Sequence, residues 1–130
     1  MIVVDASLGL EMFLRGPDAM AIKDRIEAAG REMAVPEVFD LEIVQTLRRM
    51  AFRDEITQAR ASAAYDVFRH APVERFSHQI LIDRIWALRH NLTAYDASYF
   101  ALAEALGVPL WTRDGKFADL PGVSAVVEVL

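Results

Sequence analysis

The stretch Ile2-Val3-Val4-Asp5-Ala6-Ser7 decides the fold of this chain. Three β-branched apolar residues in succession read as a short strand buried on both faces. The acid, small residue and hydroxyl that follow read as the start of a helix. Such a strand belongs in a parallel sheet with helices above and below it. The alternation then repeats along the chain. Leu8 to Arg15 carries a helical pattern with Leu10, Phe13 and Leu14 on one side, and Gly16-Pro17-Asp18 interrupts it. Ala19 to Ala29 is a second helix, which Gly30 stops. Met33-Ala34-Val35 is a second strand, closed by Pro36. From Glu37 to Arg53, Phe39, Ile43, Leu47 and Met50 recur at helical spacings of four, four and three. Another helix runs from about Ile56 to Arg69, and Ala71 to Phe76 is a weak third strand. Ser77 caps a helix from His78 to His90. Thr93-Ala94-Tyr95-Asp96 has the hydroxyl-to-acid spacing of a capping box and opens an alanine-rich helix that Gly107 ends. Leu110-Trp111 is a fourth strand and Val126 to Val129 a fifth.

The expected architecture is α/β: a single domain over residues 1–130, with a short, mostly parallel sheet of four to five strands between helical layers. A chain of 130 residues leaves no room for two domains, and 54% apolar residues suffice for a core and exclude disorder. The absence of cysteine excludes disulfide scaffolds, thiolate zinc sites and cysteine nucleophiles. No apolar run approaches the ~18 residues of a membrane span, and no basic segment precedes an apolar stretch at the start. The expected location is therefore the cytoplasm, without a membrane partner. A net charge of −5 argues against holding nucleic acid by bulk attraction, though not against acting on it through metal ions.

Ligands of an open parallel sheet bind just beyond the carboxyl ends of its strands. Asp5 follows the first strand, Glu42 lies in the helix after the second, Asp96 in the first turn of the helix before the fourth, and Asp114 after the fourth. Each has a plainer role on its own: helix cap for Asp5, capping-box acid for Asp96, turn residue for Asp114, exposed helix face for Glu42. Together they point further. Like charges in one cleft repel, and such a cluster persists if it holds cations. Oxygen donors without cysteine select hard cations, Mg2+ or Mn2+. Two such ions can bind a phosphate oxygen, activate water and stabilise a leaving oxygen, which is the chemistry of phosphodiester hydrolysis. The same repulsion predicts that Asp114→Asn raises the melting temperature of the metal-free protein.

These residues resemble the PIN domains, and among them the VapC-type toxins of bacterial type II toxin–antitoxin systems. The resemblance runs nearly end to end. It rests on Val3-Val4-Asp5-Ala6-Ser7, on Pro36-Glu37 through Glu42 to Leu47-Arg48-Arg49, on Leu92-Thr93-Ala94-Tyr95-Asp96-Ala97-Ser98-Tyr99, and on Leu110-Trp111-Thr112-Arg113-Asp114-Gly115-Lys116-Phe117. It implies a metal-dependent endoribonuclease in which Asp5, Asp96 and Asp114 are metal ligands and Glu42 holds metal directly or through water. Thr112 and Ser7 would support the cluster by hydrogen bonding. It also implies a homodimer and a VapB-like antitoxin whose tail enters the groove. The antitoxin would dock on the first helix and the helices between Glu37 and Arg69, where Phe39, Phe52 and Phe68 offer apolar side chains. Arg113 and Lys116, beside Asp114, and Arg49, beyond Glu42, are the candidates for contact with RNA.

Three other readings compete. A catalytically silent interaction module with the same fold is opposed by the intact set of acids. A phosphorelay receiver needs paired acids after the first strand and an acceptor Asp after the third, where Phe76-Ser77-His78 stands instead. A DNA nuclease on this scaffold would need extra segments to grip a junction or flap.

Overall fold

The computed structural model describes residues 1–130. Five strands, β1 (Ile2–Val4), β2 (Met33–Pro36), β3 (Val73–Phe76), β4 (Leu110–Thr112) and β5 (Val127–Val129), form one sheet in the order β3-β2-β1-β4-β5. Every neighbouring pair is parallel. The sheet is therefore at the upper limit of the expected strand number and wholly parallel. Central β1 and β2 are buried throughout, as their unbroken apolar runs require. Edge strand β3 is not buried throughout: Glu74 and Arg75 are exposed between the half-buried Val73 and Phe76.

The helices are α1 (Ala6–Phe13), α2 (Ala19–Ala28), α3 (Val38–Phe52), α4 (Gln58–Arg69), α5 (Ile82–Ala87) and α6 (Ala94–Leu106). The chain moves from β1 to one edge and then returns to the other side of β1. Right-handed crossovers therefore put α1 to α4 on one face and α5 and α6 on the other. Helix contacts follow that division, α1 against α2, α3 and α4, and α5 against α6. Phe13, Phe39 and Phe68 meet as a ring cluster under the first layer, with centroids 5.7 to 6.3 Å apart. Gly9 sits where a Cβ would come within 2.9 Å of the Phe39 ring, so the absent side chain is what lets α1 lie on α3. At the end of α6, Gly107 adopts φ 66° and closes the helix as expected.

Two expectations are corrected. The first helix starts two residues earlier than its apolar pattern, because Asp5 caps it, and it stops at Phe13. The segment from His78 to His90 is not one helix: a 3-10 turn, Gln79–Leu81, precedes α5, which ends at Ala87. Its apolar stripe is nonetheless buried, at Leu81, Ile85, Leu88 and Leu92. Unforeseen from sequence, Arg84 on α5 grips Glu104 on α6 through two hydrogen bonds of 2.6 and 3.0 Å and donates to the Gly122 carbonyl. Glu104 also accepts from the Ser124 backbone, so this pair anchors the loop that leads to β5. Its carboxyl is held below the usual range by the Arg84 hydrogen bonds.

Candidate active site

The strand order reverses between β1 and β4, and a crevice at their carboxyl ends is the expected ligand position of such a sheet. Val4 is in register with Trp111, so Asp5 and Thr112 come out of the sheet side by side. Asp5 is 5% exposed and its carboxylate accepts three hydrogen bonds. Oδ1 takes the Ser7 hydroxyl at 2.6 Å and the Leu8 backbone N–H at 3.1 Å, and Oδ2 takes the Thr112 hydroxyl. Backbone N–H groups aim those hydroxyls: Arg113 N–H donates to Ser7 Oγ at 3.0 Å and Asp114 N–H to Thr112 Oγ1 at 2.9 Å. With their oxygens accepting from the chain, both hydroxyls spend their single protons on Asp5. Ser7 and Thr112 thus both donate to Asp5.

Even so, burial pushes the Asp5 carboxyl above its ordinary range, and the charge of Asp114 pushes the same way. Three donors do not offset the loss of water around this anion. Glu42 enters from the first turns of α3 and Asp96 from the first turn of α6, both at the same end of the sheet. The Glu42 carboxyl is raised by burial and then by the charges of Asp96 and Asp5. The Asp96 carboxyl is raised by burial and then by Asp5 and Asp114, against the pull of Lys116. Asp5 thus lies within electrostatic reach of each of the other three acids. The capping box at Thr93 is only half made. Thr93 Oγ1 accepts from the Asp96 N–H at 3.2 Å, but the Asp96 carboxylate takes no bond from the Thr93 N–H. The Asp96 carboxylate is therefore not spent on closing the capping box.

One cation reaches two of the four carboxylates. Lys116 Nζ lies 3.2 Å from Asp114 and 3.9 Å from Asp96, and those acids hold the ammonium protonated. As placed, no three acidic side chains stand close enough to grip one metal ion together. The donor chemistry still fits a hard divalent cation. All donors are oxygens, one is locked in place by three hydrogen bonds, and three carry uncompensated burial or repulsion that positive charge would relieve.

Residues 2–123 match the family model described as the PIN domain. A VapC ribonuclease of Mycobacterium bovis is 42% identical over 119 residues, covering 92% of this chain and 90% of the relative. Ribonuclease VapC1 of Mycobacterium tuberculosis is 39% identical over 129 residues, covering 98% and 96%. The chain belongs to the VapC ribonucleases of the PIN-domain family. Among solved structures, VapBC2 from Rickettsia felis, bound to a DNA fragment from its promoter, has the same fold. Its TM-score is 0.73 at 15% identity, over 99% of this chain and 98% of that one.

Within this VapC fold the three RNA-contact candidates separate. Lys116 is at the acids and 64% exposed. The Arg113 guanidinium is 2.9 Å from Asp18, so the side chain nearest Asp114 in sequence is paired with the residue that precedes α2. Arg49 is exposed on the Glu42 side of α3, two turns and about 10 Å further along. The docking phenylalanines separate too. Phe39 and Phe68 are core, while Phe52 is 67% exposed beneath the Arg48 guanidinium. Sequence reasoning missed Tyr99, whose hydroxyl donates to Glu42 Oε1 at 2.7 Å.

The stability expectation moves with the geometry. Asp114 is tied to Lys116 and accepts the Lys116 N–H at 3.1 Å, so amidation there removes useful contacts. Glu42→Gln keeps an oxygen for Tyr99 and removes a charge that burial and two acids oppose. It should raise the metal-free melting temperature by roughly 2–4 °C. A fall in a thermal melt with chelator present would show that the Glu42 charge is structural.

Proposed function

We propose that this chain is a metal-dependent endoribonuclease acting as the toxin of a type II toxin–antitoxin pair in the cytoplasm. The observation that carries the reading is the buried Asp5 carboxylate, locked by Ser7, Leu8 and Thr112 yet facing three more acids with one ammonium between them. Asp5, Asp96, Asp114 and Glu42 would hold the ion or ions, Mg2+ or Mn2+. When bound, such ions would supply Lewis acidity to a phosphoryl oxygen and to water. The chain supplies the rest. Ser7 and Thr112 keep Asp5 from turning, since each spends its one proton there. The hydrogen-bonded β4 end fixes Asp114 relative to Asp5, through Thr112 Oγ1. Lys116 offers an exposed ammonium where an RNA phosphate would arrive.

The partner proposals draw on the relatives and on surfaces this fold leaves open. A VapB-like antitoxin segment suits the groove of about 930 Å³ between α1, α2 and α4, with Met12, Phe13, Met20, Ile26 and Met33 among its walls. A second copy of the chain would have the exposed Leu41, Val44 and Phe52 of α3, or Ile82 and Trp86 of α5, to cover. No helix is long and apolar enough to cross a membrane.

The test is RNA cleavage by purified protein. Cleavage should appear with Mg2+ or Mn2+, stop with excess chelator, and return when Mn2+ is restored. Undiminished cleavage in chelator would remove the metal from the proposal, and no cleavage of any cellular RNA would favour the silent module.

A further inference from the structure

Glu42 receives one hydrogen bond, and it comes from Tyr99. The Tyr99 ring is 2% exposed, an unusual place for a phenol unless its hydroxyl has work. The bond joins residues 57 apart in the chain and bridges α3 to α6. Tyr99 lies three residues after Asp96 on α6, so the two share a helix face. One helix therefore carries both an acid of the site and the tether of a second acid. A flexible glutamate has three torsions with which to wander from the cluster. The buried phenol, fixed in the core, removes that freedom for Oε1 and leaves Oε2 without a protein partner.

We propose that Tyr99 is a positioning residue: by holding Glu42 Oε1 from the helix that bears Asp96, it sets the spacing of these two carboxylates and offers Oε2 of Glu42 to a divalent cation. The inference rests on reading the acids as a cation site. It goes beyond that reading by assigning a structural cause for the place of Glu42.

The test titrates metal-free protein with Mn2+ in a calorimeter, without RNA, and follows cleavage separately. Tyr99→Phe fills the same space and should melt within about 2 °C of the parent, yet bind Mn2+ about 10-fold more weakly. Its kcat on RNA should fall by a similar factor with KM unchanged. In a Glu42→Gln background, Tyr99→Phe should cause no further loss, because the phenol acts through the glutamate. Glu42→Asp, one methylene shorter, should reproduce the loss with Tyr99 intact, and it decides the matter if Tyr99→Phe unfolds. Parent-like Mn2+ affinity in Tyr99→Phe or in Glu42→Asp overturns the proposal, as does an equal further loss in the Gln background. Parent protein that binds no Mn2+, or Glu42→Gln that binds it like the parent, instead sinks the underlying reading of Glu42.

Discussion

Asp96→Asn should reduce RNA cleavage by a factor on the order of 10²–10³ while leaving the fold intact. Among the four acids this is the cleanest site to alter. Asp5 caps α1 and collects three hydrogen bonds, so its loss would mix catalysis with stability. Asp114 accepts a backbone N–H and pairs with Lys116. Asp96 takes no backbone N–H, and its charge is opposed by burial, by Asp5 and by Asp114. An asparagine there fits the same volume, relieves repulsion, and keeps the helix start, because Thr93 Oγ1 accepts from the backbone N–H of residue 96. The expected pair of results is therefore a melting temperature equal to or above the parent's in chelator, with cleavage nearly gone. Parent-like cleavage at matched folding would remove Asp96 from the site. Loss of folding would make it structural.

The second large effect lies in stability against pH and metal. The folded-state carboxyls of Asp5, Glu42 and Asp96 are all raised, chiefly by burial. A raised acid binds its proton more tightly when folded than when unfolded. Its stabilising contribution is complete below the unfolded pKa and is lost as pH rises through the folded value. Glu104 has the opposite sign: lowered by Arg84, it contributes above the unfolded pKa and loses this only at lower pH. Metal-free protein should therefore melt higher in mildly acidic solution than at neutral pH. Mn2+ at 100 times its Kd should add about 2.7 kcal/mol at neutral pH, or roughly 10 °C. The gain should fade as the pH falls and the acids take up protons. Thermal melts across this range, with and without Mn2+, check both arms. An Mn2+ shift independent of pH would mean that these carboxylates are not the ligands.

The alternation of elements was readable because the strands are short and apolar enough to admit no other role, as at Ile2–Val4 and Met33–Pro36. The acids were readable by position: each sits just past a strand or at a helix start on one end of a parallel sheet, and topology alone gathers such positions. What escaped was what backbone direction and distant contacts decide. Arg113 and Lys116 lie on either side of Asp114 in sequence, but the nearer one reaches Asp18 and the other the acids. Tyr99 looks like any core aromatic of an alanine-rich helix until α3 is laid beside it. The helix period of Leu81, Ile85, Leu88 and Leu92 reported burial correctly and helix length wrongly, since a 3-10 turn and the turns after Ala87 keep the same side inward.

Because β1 is the middle strand and its second edge waits for β4, a chain emerging from the ribosome can assemble β3-β2-β1 while residues 110–130 are still unmade. At that stage Asp5 lacks the Thr112 hydroxyl, and Asp114 does not yet exist to face it. The acids of the site would thus come together only once β4 has joined the free edge of β1.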